Sequence, residues 1–360
     1  MEDTEVHFES DSGILDFFSE DETVQAVDGV SLDIHENEVI ALVGESGCGK
    51  TTLGKTAIAV QEPTGGSVRY RGHDVWEAKA GNGEMPWKRI RRALQIIHQD
   101  PGSSLNPNRT VINSLDLPLR NYDSSLSYED RRARILGMIE RVGMTPPQDY
   151  AERYPHQLSG GEKQRVALIR ALLMEPDLIL ADEAISALDV SLRVEMMDLM
   201  LELQKQFNTA FLFVSHDLSN ARYITEKAGG RIGVMYLGRL VEIGTPEQII
   251  TDPQHPYTKA LRWATPKLYE DKDSEEMPIR SIDIPDPVNP PSGCRYHTRC
   301  PNAREVCTQV DPDTMSVDGY SGQRAACFRV DDHHEYWDSP SIVEDDSLIS
   351  DEDDNPELQN

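Results

Sequence analysis

The sequence predicts an α/β fold, with a parallel core sheet flanked by helices and interrupted by a mainly helical insert. Three observations carry that reading. Short apolar runs of strand length (Val39–Val43, Leu178–Ala181 and Ala210–Val214) alternate with stretches of helical periodicity. A glycine-rich segment, Gly44 to Gly49, stands between the first such run and a helical stretch. Ligands of parallel sheets sit beyond the carboxyl ends of the strands, where this segment falls. Finally, residues from about 110 to 175 keep a helical pattern, with Ser/Asp/Pro-rich breaks near 121–128 and 145–150.

In chain order, residues 24–60 read as strand, turn, strand, glycine loop and helix, the helix covering Lys50 to Val60. Residues 66–76 (GSVRYRGHDVW) alternate as a pair of hairpin strands would. After the insert come the strand Leu178–Ala181, a helix from Ser191 to Phe207 and the strand Ala210–Val214. Residues 1–265 are therefore expected to form one domain, with its helical insert at about 100–175. The composition then turns acidic and proline-rich (IPDPVNPP), which marks a linker over 266–292. A small cysteine-containing module over 293–330 follows, and an acidic tail over 331–360 is expected to be disordered.

The 360 residues are 38% hydrophobic, enough to bury a core in one large domain with an appendage. No apolar run is long enough to cross a bilayer. The start, Met1-Glu2-Asp3, lacks the basic and apolar segments of a secretion signal. The chain is therefore expected in the cytosol, reaching a membrane only through a partner. The formal charge of −28, from 63 acidic and 35 basic residues, argues against nucleic acid as a partner. Acids are spread along the whole length, so the tail does not account for the excess. Such a carboxylate-covered surface suits very high salt, as in a halophile.

Gly44-Glu45-Ser46-Gly47-Cys48-Gly49-Lys50-Thr51 fits G-x-x-x-x-G-K-[ST] between a strand and a helix, the context that motif requires. The glycines let successive backbone N–H groups turn toward phosphate oxygens, and the helix dipole adds to that positive end. Lys50 would reach the β- and γ-phosphates of ATP, and the Thr51 hydroxyl would bind Mg²⁺. Thr52 completes the nucleotide-binding stretch, and Cys48 is a small loop residue rather than a nucleophile. The strand Leu178–Ala181 ends in Asp182-Glu183, at the same edge of the sheet. Asp182 would hold Mg²⁺ and Glu183 would polarise the attacking water. Paired acids after a strand are often only a solvated turn; the phosphate loop upstream makes the catalytic reading the stronger one.

Leu158-Ser159-Gly160-Gly161-Glu162-Lys163-Gln164-Arg165 opens another helix. Ser159 and Glu162 fit a capping box with no ligand at all, but Gly160 and Gly161 stand where glycine disfavours the helix. Taken with the phosphate loop and the Asp-Glu pair, this segment resembles the signature of ABC-type ATPases. Gln99, in Ile96-Ile97-His98-Gln99-Asp100-Pro101, resembles that family's glutamine loop, which contacts Mg²⁺ and senses the membrane partner. Ser186-Ala187-Leu188-Asp189 resembles the D-loop, and His216, after the strand Ala210–Val214, the switch histidine. The resemblance covers nearly the whole chain. It implies the ABC-ATPase form of the P-loop NTPase fold, with an antiparallel β subdomain and a helical subdomain beside the parallel core. It also implies head-to-tail pairing, in which Ser159, Gly160 and Gly161 act on the nucleotide of the other ATPase. Two departures stand out. Ala184-Ile185 replaces the usual proline-containing pair after the catalytic glutamate, and the adenine-stacking aromatic is missing from its usual place, leaving Phe17 or Phe18 as candidates.

Within the family, His255-Pro256-Tyr257-Thr258 and Cys294-Arg295-Tyr296-His297-Thr298-Arg299-Cys300-Pro301 resemble the C-terminal extension of oligopeptide/dipeptide importer ATPases. Finer details resemble the second of the two ATPases in such importers. That resemblance implies a different partner ATPase, two transmembrane permease subunits, an extracytoplasmic binding protein and a place on the cytoplasmic face of the membrane. Peptides are the expected cargo, with sugars or nickel as alternatives. Cys294, Cys300, Cys307 and Cys327 have a spacing that leans toward an iron–sulfur cluster, with zinc and four packed thiols as alternatives. A soluble ABC ATPase of repair or translation is the nearest rival, but such proteins carry a coiled-coil insertion or two cassettes, and neither is evident here.

Overall fold

A computed structural model of the chain describes residues 1–9, 23–100, 102, 105–265, 278–331 and 333–342. Its strands, in chain order, are β1 (Glu2–Glu9), β2 (Thr23–Val30), β3 (Val39–Val43), β4 (Gly65–Ser67), β5 (Arg69–Tyr70), β6 (His73–Asp74), β7 (Leu94–Ile97), β8 (Leu178–Asp182), β9 (Ala210–Val214), β10 (Arg231–Tyr236), β11 (Arg239–Gly244), β12 (Met315–Ser316) and β13 (Arg324–Ala325). The expected parallel core is present, with β10, β3, β9, β8 and β7 side by side in that order and all parallel. A separate antiparallel sheet places β1 between β2 and β4, and β5 with β6 forms a tight hairpin.

The reason for the unbroken apolar runs is burial on both faces. In β3, Val39, Ala41 and Val43 face a core shared with the helical insert, while Ile40 and Leu42 face the core beneath β1 and β2. β8 and β9 divide the same way: Ile179, Ala181, Phe211 and Phe213 go to the first core, and Leu178, Leu180, Leu212 and Val214 to the second. The insert is helical as its pattern predicts, with helices Val111–Tyr122, Tyr128–Arg141, Pro147–Ala151 and Gly160–Leu172. Ser127 caps the second by accepting from Asp130 N, with Glu129 and Asp130 in its first turn where the dipole favours acids. Among the described residues no helix is long and apolar enough to cross a membrane.

The C-terminal module departs from the expected layout. Rather than standing apart behind a linker, it adds β13 and β12 to the edge of the core sheet, where Glu242 and Ile243 of β11 pair with Ala325 and Arg324. Nor does structure stop at 330. Residues 335–338 form a 3-10 turn, Ser341 bridges to Arg304, and the Arg304 guanidinium lies 4.1 Å from the Trp337 ring. Tyr336 and Trp337 supply apolar surface inside an otherwise acidic stretch, so the expected tail loses its first part to the module. The remaining tail, 343–360, and much of the expected linker, 266–277, lie outside the described residues.

A buried polar network joins the module to the domain. Glu242 is fully buried in β11 and accepts from Gln254 N at 2.8 Å, His255 N at 2.9 Å and Gln323 Nε2 at 2.9 Å. His255 Nδ1 in turn accepts from Tyr257 N, capping the helix Pro256–Ala264. Burial lowers the His255 pKa to about 3. In the unfolded chain the same imidazole takes a proton near the ordinary value of about 6.5. Between those values the unfolded state binds more protons, so this contribution is complete above about pH 6.5 and is lost as pH falls toward about 3. Wild type should therefore lose about 2 kcal/mol more than His255→Asn between pH 7 and pH 5, read by urea unfolding at fixed ionic strength. Parallel pH curves for the two proteins would count against this role.

Candidate functional site

The glycine loop leaves the carboxyl end of β3, and its backbone demands its residue types. Gly49 has φ +100°, and a Cβ there would sit 2.0 Å from the Ala26 carbonyl oxygen. Gly44 is as confined, 2.2 Å from the Met235 carbonyl oxygen, whereas a Cβ on Gly47 would meet nothing within 4 Å. The loop is thus packed against the strands on one side and open on the other. Gly49 caps the helix Lys50–Ala57 with no side-chain bond, leaving the first N–H groups of the helix to an outside acceptor. Lys50 is 5% exposed, and its Nζ donates to the carbonyls of Gly44 at 2.9 Å and Glu45 at 2.8 Å. Cys48 is buried beside it, and burial pushes its thiol pKa up, as suits a packing residue.

The acids on β8 reach this loop. Thr51 Oγ1 donates to Asp182 Oδ1 at 2.7 Å, bringing together two of the oxygens expected to hold Mg²⁺. Glu183 follows in the left-handed region, φ +47°, where a branched or bulky side chain is strained. Several bonds hold it there. Its N–H donates to the Val214 carbonyl at 3.1 Å, and its carbonyl accepts from Ser186 N at 3.0 Å and Ser186 Oγ at 2.9 Å. Gln99 Nε2 donates to Glu183 Oε2 at 2.9 Å, and His216 Nδ1 lies 3.7 Å from Oε1. Residues from the ends of β7, β8 and β9 therefore converge on one carboxylate. The open side of the glycine loop, its buried lysine and the Thr51–Asp182 pair fit a Mg²⁺–nucleoside triphosphate.

Ser159, by contrast, is occupied within its own capping box. Its Oγ accepts from Glu162 N at 3.3 Å, and its N–H donates to Glu162 Oε2 at 2.6 Å. Asp189 likewise caps the helix Val190–Phe207 through Leu192 N. Gly160 and Gly161 have no such local explanation. A Cβ on Gly160 would meet nothing within 4 Å, and one on Gly161 only Leu192 Cδ1 at 3.9 Å. Gln164, buried one turn on, donates to the Ala184 carbonyl and so ties this helix to the segment after Glu183. Phe17 and Phe18 lie outside the described residues.

Two residues read in the sequence only as branch markers turn out to touch the phosphate loop. Tyr257 Oη accepts from Glu45 N at 2.9 Å, and Arg299 donates to both oxygens of the Glu45 carboxylate. The four clustered cysteines line one cavity with His255 and His297. All four are free thiols, and burial raises their pKa, to about 11 for Cys300 and about 12 for Cys327. His297 Nδ1 faces the Cys294 carbonyl at 2.8 Å. Among the described residues no group of three or more His, Cys, Asp and Glu side chains is placed to hold a metal ion. The four cysteines of the expected iron–sulfur or zinc site thus share one cavity as free thiols.

Comparison with known proteins gives a consistent result. Residues 27–186 match the family described as ABC transporter, and residues 241–307 match the oligopeptide/dipeptide transporter C-terminal region. The chain is 42% identical over 314 residues to the dipeptide transport ATP-binding protein DppF of Escherichia coli, covering 87% of this chain and 90% of that one. It is 39% identical over 330 residues to the oligopeptide transport ATP-binding protein OppF of Salmonella typhimurium, covering 91% and 95%. Among solved structures, it resembles the dimeric post-hydrolysis ATP-binding cassette MJ0796 bound to ADP and Pi. That match has a TM-score of 0.55 and 27% identity, and covers 68% of this chain and 97% of that one.

Proposed function

The chain belongs to the ATP-binding subunits of ABC transporters, of the oligopeptide/dipeptide importer type, and we propose that it is the second of two unlike ATPases in a peptide importer. It is an ATPase. The convergence of Lys50, Thr51, Asp182, Glu183, Gln99 and His216 at one edge of the parallel sheet carries that chemistry. Lys50, held at the loop mouth by two carbonyls, is placed to turn to the β- and γ-phosphates. Thr51, Asp182 and Gln99 are the residues to hold Mg²⁺, which when bound neutralises phosphate charge. Glu183 takes the proton of the attacking water, while Gln99 and His216 keep its carboxylate aimed.

The partner subunits are part of the same proposal. Gly160 and Gly161 cost helix stability without any steric need inside the chain, which supports a second ATPase whose nucleotide approaches that helix end. The apolar side chains of Val190, Leu192 and Val194 are exposed nearby and support the same interface. A groove lined by Trp87, Gln95, Ile96, Leu117, Pro118 and Tyr122 is a fitting seat for a permease subunit, since β7 runs from it directly to Gln99. Two permeases, an extracytoplasmic binding protein and a position on the cytoplasmic face complete the assembly. Peptides are the proposed cargo, because the similar DppF and OppF are dipeptide and oligopeptide transport proteins. The charge of −28 supports a cell interior of high salt. A metal centre on the four cysteines finds support only in their shared cavity; iron, sulfide and zinc analysis of anaerobically purified protein tests it.

Affinity capture of the full chain from its native membranes, in high salt and mild detergent, tests the importer reading. Two multi-span proteins and a second ATPase should be recovered with it. Recovery of soluble proteins alone would sink the importer reading and leave the ATPase chemistry.

A further inference from the structure

Residue 45 of the phosphate loop is gripped on three sides. Its N–H donates to Tyr257 Oη, its carbonyl accepts from Lys50 Nζ, and its carboxylate accepts from Arg299 NH1 at 3.0 and 3.1 Å. Two of those three partners lie far along the chain, and Arg299 belongs to the C-terminal module. Arg299 is buried, with its guanidinium 5.7 Å from the Tyr296 ring and 5.8 Å from the Tyr236 ring. Those two rings pack with Tyr257 into one cluster, with centroids 4.6 to 5.4 Å apart. A second buried arginine, Arg295, anchors the same turn by donating to Asp28, Gln25 and the Leu237 carbonyl. The next residue along, Gly238, donates its N–H to the Cys48 carbonyl of the phosphate loop at 3.0 Å. The module thus braces the loop through its arginines and through the turn they hold.

We propose that the C-terminal module is part of the nucleotide site, and that Arg299 is a positioning residue that sets ATP affinity by neutralising Glu45. This rests on reading the loop as the ATP site. A carboxylate in a phosphate-binding loop has the wrong sign for its ligand, and Glu45 keeps 28% of its side chain exposed. Without Arg299 that charge repels the triphosphate. The arrangement makes the module a requirement for tight nucleotide binding rather than a passive appendage.

The test uses the full chain, with Mg²⁺–ATP displacing a fluorescent ATP analogue at fixed salt and thermal unfolding read in parallel. Arg299→Gln should weaken ATP binding roughly tenfold, the scale of one unscreened charge a few ångströms away. Arg299→Lys should recover most of that loss. Adding Glu45→Gln to Arg299→Gln should restore affinity, because the repelling charge is gone. Glu45→Gln alone, which keeps the pocket filled, should bind ATP as well as wild type or better. In the assembled transporter, Arg299→Gln should raise KM for ATP and leave kcat nearly unchanged. Wild-type affinity in a well-folded Arg299→Gln, a double variant as weak as the single, or weakened binding in Glu45→Gln would overturn the proposal. Lys50→Ala separates the two levels: if it binds ATP as wild type does, the site reading itself falls and takes this proposal with it.

Discussion

Glu183→Gln should bind Mg²⁺–ATP as wild type does and turn it over at least about a hundredfold more slowly, the low end of what a positioned general base contributes. The substitution is nearly isosteric, and the amide oxygen can still accept from Gln99 Nε2, which now lies 2.9 Å from Glu183 Oε2. The left-handed backbone at 183 is held by bonds from main chain and Ser186, none of which involves the carboxylate. Binding rests on Lys50 and the glycine loop, which the variant leaves alone. The loss should therefore be confined to kcat, and ATP should accumulate on the assembled transporter. Turnover that matches wild type would remove Glu183 from the role of base.

The second large effect has an unusual sign. Gly161→Asp should stabilise the isolated chain slightly while lowering turnover of the assembled transporter by about a hundredfold or more. Position 161 is the second residue of the helix Gly160–Leu172, and a Cβ there meets only Leu192 Cδ1 at ordinary contact distance. Replacing glycine by aspartate in a first turn removes a propensity penalty and adds a charge the dipole favours, together about 0.5–1 kcal/mol. In the proposed pairing the same carboxylate would face the triphosphate held by the other ATPase, where an anion repels it. ATP binding to the chain's own phosphate loop should not change. Thermal unfolding, nucleotide affinity and turnover separate these three consequences. Lower stability, or lost binding in the chain alone, would show that Gly161 serves the fold and not a partner.

What the sequence disclosed follows from how each feature is encoded. β3, β8 and β9 were legible because burial on both faces writes an uninterrupted apolar run, as in Val39-Ile40-Ala41-Leu42-Val43. That the phosphate loop, Asp182, Glu183, Gln99 and His216 gather at one edge of the sheet was legible because each sits at a strand end with a fixed local motif. β12 and β13 were not, since strands of two residues carry no periodicity. The contact between Arg299 and Glu45 spans 254 positions, and no local pattern announces a pair so distant. Its only trace is that both ends lie in recognisable motifs, Glu45 in the phosphate loop and Arg299 in the stretch that marks the branch. The four cysteines are spread over 34 positions, and only the fold shows that they line one cavity. The tail boundary moved because a charge count overlooks the ring contacts that Tyr336 and Trp337 make, with Phe328 and Arg304.

In the proposed assembly this chain carries half of each ATP site and needs a second ATPase to complete it. The most direct measurement is steady-state Mg²⁺–ATP turnover of the purified chain over a wide range of concentration, alone and with its co-purified ATPase partner. Negligible specific activity is expected when the chain is dilute and alone, with a steep rise as the partner is titrated to equal amounts. Specific activity that is constant with concentration and indifferent to the partner would mean that the site is complete within one chain and that no paired site exists.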